Sequence, residues 1–370
     1  MRVATFPTLL VFLLALSLPG LTGCASTKPL PNAPQRVGLV VEPADAAALG
    51  FSVNWAQHLS VPDSNDIVET ALLDDLMLVV EHPGNIVNAI EIDSGKVRWR
   101  SAVGVGDGRL FKPMAFEDRI LINSVKSLYI VSADSGNVID RVELAHVVQT
   151  QPTLHNELAL FGAVNGRIFA HQIRSGFPKW EYGMSASISA PIAVQGDQLA
   201  VADDNGTSAL LDVDTGAVNW RRKSYDRIST QPLLTENFAG FGSHDRSFYC
   251  LDRSTGDDLW IFRSERALLR PAAFLGNNVY LPVDGRGLFC IDPSTGESNW
   301  LFDRVATPLG IHDNRLLAYT RTALLQIDVR TGAVVAEAPT RRLAAVVQLP
   351  DNALVLVSPT GRVLRINPQN

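Results

Sequence analysis

Apolar residues along this chain come in short runs broken by Gly, Asn, Asp and Pro, and the runs recur in sets of four. One set shows the unit: 271–274, 278–283, 287–291 and 298–302 are apolar, with Gly276-Asn277, Asp284-Gly285 and Ser294-Thr295-Gly296 between them. Runs rich in Val, Ile, Leu, Phe and Tyr between turn-forming residues predict β-strands. Each set therefore predicts a small antiparallel sheet.

Two markers time the recurrence. Ser/Thr-Gly is followed four residues after the Gly by Trp at Gly95/Trp99, Gly176/Trp180, Gly216/Trp220, Gly256/Trp260 and Gly296/Trp300, with a step of 40 residues from Gly176 to Gly296. Gly136 and Gly332 continue the series with Asp140 and Ala336 in place of Trp. Pro113, Pro152, Pro191, Pro232, Pro271 and Pro308 keep nearly the same period, each opening a set of apolar runs. Four strands in about 40 residues match one blade of a β-propeller, a ring that leaves few open sheet edges. The Gly falls at the turn between third and fourth strands, where a positive φ costs a glycine little. The Trp is expected to pack between neighbouring blades.

The chain ends predict how the ring closes. Trp55 lacks a preceding Thr-Gly turn, so its strand enters as an outermost one, while 361–368 resembles a third strand with no fourth after it. The strand around Trp55 should complete the last blade. Positions 51–370 hold eight periods of 40, so the expected fold is all-β: an eight-bladed propeller of four-stranded antiparallel blades, closed by an N-terminal strand. Trp55, Trp99, Trp180, Trp220, Trp260 and Trp300 all occupy the repeat position, which leaves no tryptophan for a ligand platform.

Residues ahead of the propeller predict how it is held. Arg2, then an apolar run from Leu9 to Leu18 broken by Pro19-Gly20, reads as a secretory signal over 1–23, too short for a spanning helix. It ends in Leu21-Thr22-Gly23-Cys24, which resembles the lipobox of bacterial lipoproteins, cleaved ahead of a lipidated cysteine. An ordinary signal with Cys24 as a thiol is the other reading. Ala25 stands where an aspartate would retain the protein at the inner membrane, so the resemblance implies the periplasmic face of the outer membrane. Residues 24–50, with Pro29, Pro31, Pro34 and Pro43, predict an extended tether. No later run reaches the ~18 apolar residues of a membrane helix, so the membrane link is expected to be the lipid alone.

Charge and chemistry add limits. The formal net charge is −6, which gives no basic footprint for nucleic acid. Cys250 and Cys290 stand 40 apart at one blade position that holds Leu210, Ala170 and Ile130 elsewhere. A small apolar slot is the plain reading, since adjacent blades hold such positions beyond the ~7 Å Cα reach of a disulfide; a redox pair is the alternative. The seven histidines show no ligand spacing, so no metal site is expected. Asp93, Asp134, Asp214, Asp292 and Asp328 recur just before the Gly turn, where a carboxylate can accept backbone hydrogen bonds.

Arginines are harder to absorb into the repeat. Arg109, Arg227, Arg270, Arg304, Arg341 and Arg342 precede blade openings, and Arg167, Arg246, Arg286, Arg321 and Arg362 fall in turns between second and third strands. In a propeller these loops share one face. Solvated loop residues are the plainer reading; the sharper one is an arginine-rich mouth that holds a carboxylate-rich or phosphate-bearing partner through residues such as Arg227, Arg246, Arg286 and Arg321.

The repeated Ile-Asp-x-x-Thr-Gly-x-x-x-Trp, seen as Ile291-Asp292-Pro293-Ser294-Thr295-Gly296-Glu297-Ser298-Asn299-Trp300, resembles the PQQ-like propeller repeat. With the lipobox, the length and eight blades, the chain most resembles the BamB family of lipoproteins. That resemblance implies a non-enzymatic, monomeric scaffold without cofactor, which binds the outer-membrane barrel-assembly machinery through two interblade loops. The corresponding stretches here are 185–191, with Ile188, and 221–232, with Asp226 and Arg227. Ser189-Ala190-Pro191 keeps the family pattern, whereas the second stretch has four basic residues and one acid where the family has an acidic loop. A ligand-binding or adhesion propeller is the alternative, and a quinone-dependent dehydrogenase the third reading, against which stand the absence of adjacent cysteines and of a free tryptophan.

Overall fold

The computed structural model describes residues 38–369, so Cys24 and the signal lie outside the described residues. Within them the strands form eight four-stranded antiparallel sheets. Blades 1 to 7 occupy 66–102, 114–143, 153–183, 193–223, 233–263, 273–302 and 307–339, each with its strands paired in chain order. Blade 8 takes three strands from 345–368 and its fourth from Phe51–His58, which pairs antiparallel with Arg362–Pro368. The expected closure is observed. The first strands lie innermost, and that of blade 1 runs beside that of blade 8, completing the ring.

Burial follows from position in the blade. Second and third strands are covered on both faces by neighbouring blades, so they are continuously apolar: Leu158–Gly162 and Leu354–Val357 are buried throughout. Fourth strands face solvent, and in Val97–Ala102 only Trp99 is buried. Strand bounds match the apolar runs, except that in blade 6 the first strand is Ala273–Leu275, because Pro271 has no N–H to give a ladder.

Each of the six tryptophans spans a seam between blades. Its ring lies over the turn glycine of the next blade, and its Nε1 donates to a carbonyl three residues before that glycine: Trp55 to Ile92, Trp99 to Ala133, Trp180 to Val213, Trp220 to Arg253, Trp260 to Pro293 and Trp300 to Val329, at 2.7–3.0 Å. The glycines have φ of +71° to +76°, and a β-carbon on Gly332 would sit 2.7 Å from the Trp300 ring. A side chain there would meet both backbone strain and a clash.

Two seams lack the indole. At blade 7, Ala336 leaves room that the N-terminal segment fills. Among the described residues the one helix, Pro43–Ala48, packs on the outermost strand of that blade, with Val40, Val41, Ala46 and Leu49 in the same core as Ala336. Val41 bridges Thr340, and Gln326 Nε2 donates to the Leu49 carbonyl at 2.8 Å. The tether expected to reach Gly50 has therefore become packed chain by Val40. The other seam, between blades 2 and 3, has Asp140.

The turn acids divide by position. Asp292 and Asp328 accept backbone N–H groups of their turns, as do Asp212 and Asp252. Hydrogen bonds from the Thr215, Ser254, Ser294 and Thr331 hydroxyls, and then these amides, hold the carboxyls of Asp212, Asp252, Asp292 and Asp328 below the usual range. Asp93 and Asp214, nearer the glycine, instead pair with Arg365 and Lys179. Cys250 and Cys290 are buried free thiols, and burial pushes their pKa values up to about 12 and about 11.

Candidate functional site

Loops that open the blades and turns between second and third strands do share one face, and backbone hydrogen bonds tie them together. Met184 N donates to Gly166 O, Ser224 N to Gly206 O and Ser264 N to Arg246 O, each at 2.8 Å. The expected arginines therefore converge on one side of the ring, but they are not equivalent.

Several are neutralised where they stand. Arg286 Nη1 meets Glu265 at 2.6 Å, Arg270 Nε meets Asp284 at 2.7 Å, Arg109 meets Glu69 at 2.7 Å and Arg304 makes a two-pronged pair with Glu337 at 2.8 Å. Arg341 is turned to the Leu39 carbonyl at 3.0 Å. Among the described residues Arg227, Arg246, Arg321 and Arg342 have no carboxylate partner, and all four are exposed. Arg246 holds a left-handed backbone, φ +74°, at the tip of its turn. Arg227 Nε donates to His244 Nδ1 at 3.1 Å, and His244 Nε2 lies 2.7 Å from Ser229 Oγ. Burial, then the Arg227 charge, lowers the pKa of His244. A neutral ring accepts at Nδ1 and donates at Nε2, so the positive charge stays on Arg227 alone.

Near the ring axis on this face lies a hollow of about 550 Å³, open to solvent. Arg270, Arg321 and Arg342 line it with Asp66, Thr307 and Tyr319. Guanidinium groups around a concave mouth suit planar oxyanions, with Asp66 as the one carboxylate. The two charge-bearing positions Arg321 and Arg342 were readable as loop arginines. Asp66 and Tyr319 carry no repeat signal; Tyr319 comes with the blade that carries Arg321, and Asp66, on the first strand of blade 1, is brought to the mouth by ring closure.

Two expectations for the interblade loops are corrected. Ile188 is fully buried, packed on Gly162 in the core of blades 3 and 4, and offers no side-chain surface to a partner. Its loop is fastened by the buried Asp203, which accepts from Ser185 Oγ at 2.6 Å and from the Ser185 and Ala186 amides. In the second stretch, Arg221, Arg222 and Lys223 belong to the strand Val218–Lys223; Arg222 pairs with Asp258 and Arg221 lies over the Tyr182 ring. The loop proper presents Tyr225, Asp226 and Arg227, all exposed. Asp226 accepts the Arg227 backbone N–H at 2.7 Å.

Among the described residues no group of three or more His, Cys, Asp or Glu is placed to hold a metal ion, and no helix is long and apolar enough to cross a membrane.

Known proteins similar to this chain agree on the ring. The BamB of Moraxella catarrhalis superposes with a TM-score of 0.70 at 18% identity, covering 86% of this chain and 97% of that one. The quinohemoprotein alcohol dehydrogenase of Comamonas testosteroni superposes at 0.69 with 12% identity, over 89% and 78%. At such identities the likeness is one of fold. Two curated relatives are outer membrane protein assembly factors BamB: that of Pseudomonas aeruginosa is 26% identical over 149 residues, 36% of this chain and 38% of its own, and that of Legionella pneumophila 21% identical over 211 residues, 57% and 46%. The chain thus aligns with less than half the length of either relative. Over residues 83–300 and 164–370 it matches the profile of one family, and by that match the chain belongs to the family described as outer membrane protein assembly factor BamB.

Proposed function

We propose that this chain is a non-enzymatic, protein-binding scaffold, anchored through a lipid on Cys24 to the periplasmic face of the outer membrane, where it assists the assembly of β-barrel proteins. The family match over most of the ring is the observation that supports it most. A rigid propeller supplies a wide docking face, and the lipid confines it to one membrane surface. The exposed arginines Arg227, Arg246, Arg321 and Arg342 are the residues that would capture the partner, with Asp226 beside them.

Purifying the lipidated protein from membranes tests this. Barrel-assembly subunits co-purify if the proposal holds, and Cys24→Ala moves the protein out of the membrane fraction. A preparation free of barrel-assembly subunits overturns it.

One observation favours a second reading, a propeller of the same family with another partner. The loop 224–231 presents Arg227 where an acidic surface would be expected. Co-purification with a different, acidic protein would establish it. For the quinohemoprotein the likeness stops at the fold.

A further inference from the structure

The seam between blades 2 and 3 keeps the turn glycine and the acceptor carbonyl of the tryptophan seat but has no tryptophan. Its turn is intact: Gly176 has φ +72°, and its N–H donates to Gln172 O at 2.9 Å, as Gly136 N–H does to Ser132 O and Gly256 N–H to Asp252 O. Yet no described residue lies within 4 Å of where a Gly176 β-carbon would be, whereas the six seated glycines all have an indole there. The Ile173 carbonyl, in the place of the six that accept an indole N–H, receives no donor from the described residues. Asp140, which replaces the ring, has no N–H to give.

What surrounds the seat is unusual for this repeat. Phe177, just after the glycine, is 70% exposed, while the equivalent residues are Lys96, Asn137, Ala217, Asp257, Glu297 and Ala333. Ile139, beside Asp140, is 54% exposed. By register the floor residue is His171, where the other blades have Ile90, Val131, Leu211, Leu251, Ile291 and Ile327, each sharing a core with a seated Trp. His171 is 6% exposed, and its Nε2 is buried without a hydrogen-bond partner among the described residues. An orphaned buried nitrogen and a bare aromatic ring at the edge of an empty seat both cost free energy in the isolated protein.

We propose that this seat binds a tryptophan side chain of a partner protein, its ring on Gly176 and its Nε1 donating to the Ile173 carbonyl. The six occupied seams show the geometry of the occupant. The indole must come from outside, because all six tryptophans of the chain are seated already; a second copy would have to empty one of its own seats. Asp140 at the rim adds a preference for a basic residue next to the incoming tryptophan. The seat lies on the outer rim, apart from the arginine-lined mouth, so the proposal stands or falls independently of the partner proposed above.

The test uses the full mature protein in detergent, labelled with ¹⁵N only at glycine and titrated with N-acetyl-tryptophanamide. The amide of Gly176 should shift, while Gly95, Gly136, Gly216, Gly256, Gly296 and Gly332 stay in place. Asp140→Trp seats an indole of its own and should weaken probe binding about tenfold. A still Gly176 at millimolar probe, equal shifts at all seven glycines, or undiminished binding by the variant overturns the proposal. The comparison among glycines needs only the wild-type protein.

Discussion

The indole of Trp55 lies against Gly95 across the seam where the two ends of the ring meet. Its Nε1 donates to the Ile92 carbonyl at 2.7 Å, and a β-carbon on Gly95 would stand 2.5 Å from the ring. Trp55 comes from the strand that blade 8 borrows from the beginning of the domain, so its contact with the turn of blade 1 fastens the last blade to the first. Gly95→Ala should destabilise the protein by about 1–3 kcal/mol through overpacking and strain at φ +71°. Trp55→Ala should cost about 3 kcal/mol. Urea midpoints measure both, and a Gly95→Ala midpoint equal to wild type would contradict the seat.

The same seam has an ionic fastening. Arg365, 8% exposed at its side chain, reaches Asp351 at 2.8 Å, Asp93 at 3.0 Å and the Ile92 carbonyl at 2.9 Å. Arg365→Met should cost about 2 kcal/mol, because charge-assisted hydrogen bonds are lost while both carboxylates can still be hydrated. Asp93→Asn should cost under about 0.5 kcal/mol, Asp93 being 96% exposed. Near-equal midpoints for the two variants would show that Arg365 does not fasten the ring.

Burial of the two thiols gives a reactivity and a pH dependence. Ellman's reagent at pH 8 should modify neither Cys250 nor Cys290 in the folded protein and both in urea, peptide mapping separating them from Cys24. Their folded pKa values lie above the unfolded ones, so the folded state keeps protons that the unfolded chain releases. The stability from the neutral thiols is complete below about pH 8.5 and should fall as pH rises from there toward 11 and 12. Replacing both by Ala should flatten that fall; an unchanged slope would mean that other groups cause it.

Charge reversal should separate the arginines by their pairing. Arg246→Glu and Arg321→Glu, without carboxylate partners to offset them, should weaken partner capture at low salt by about tenfold each. Arg286→Glu, whose charge Glu265 already balances, should change it by about twofold or less. Surface plasmon resonance against the co-purified partner reads all three, and equal losses would remove the distinction that ion pairing draws.

Most of the ring was legible along the chain. Period, blade count, strand bounds and closure by the strand around Trp55 follow from local signals, because a positive-φ glycine and a large apolar ring four residues later are demanded by each blade in the same way. The slots of Cys250 and Cys290 were readable for that reason too. Ile188 was misread, since its loop position resembled a surface contact while its side chain is drawn into the core against Gly162. Arg221, Arg222 and Lys223 looked like a basic loop but finish a strand.

The repeating unit, its number and the exceptions at Asp140 and Ala336 can all be read along the chain, where the two exceptions look alike. Tertiary structure alone decided that they differ. The helix Pro43–Ala48 returns to cover Ala336, while no described residue covers Gly176 beside Asp140. It also decided which arginines keep their charge, since Arg286 has a carboxylate within reach and Arg321 has none among the described residues. Turns and strands answer to neighbours a few residues away, whereas what fills a seam or balances a charge depends on groups that only the closed ring brings together.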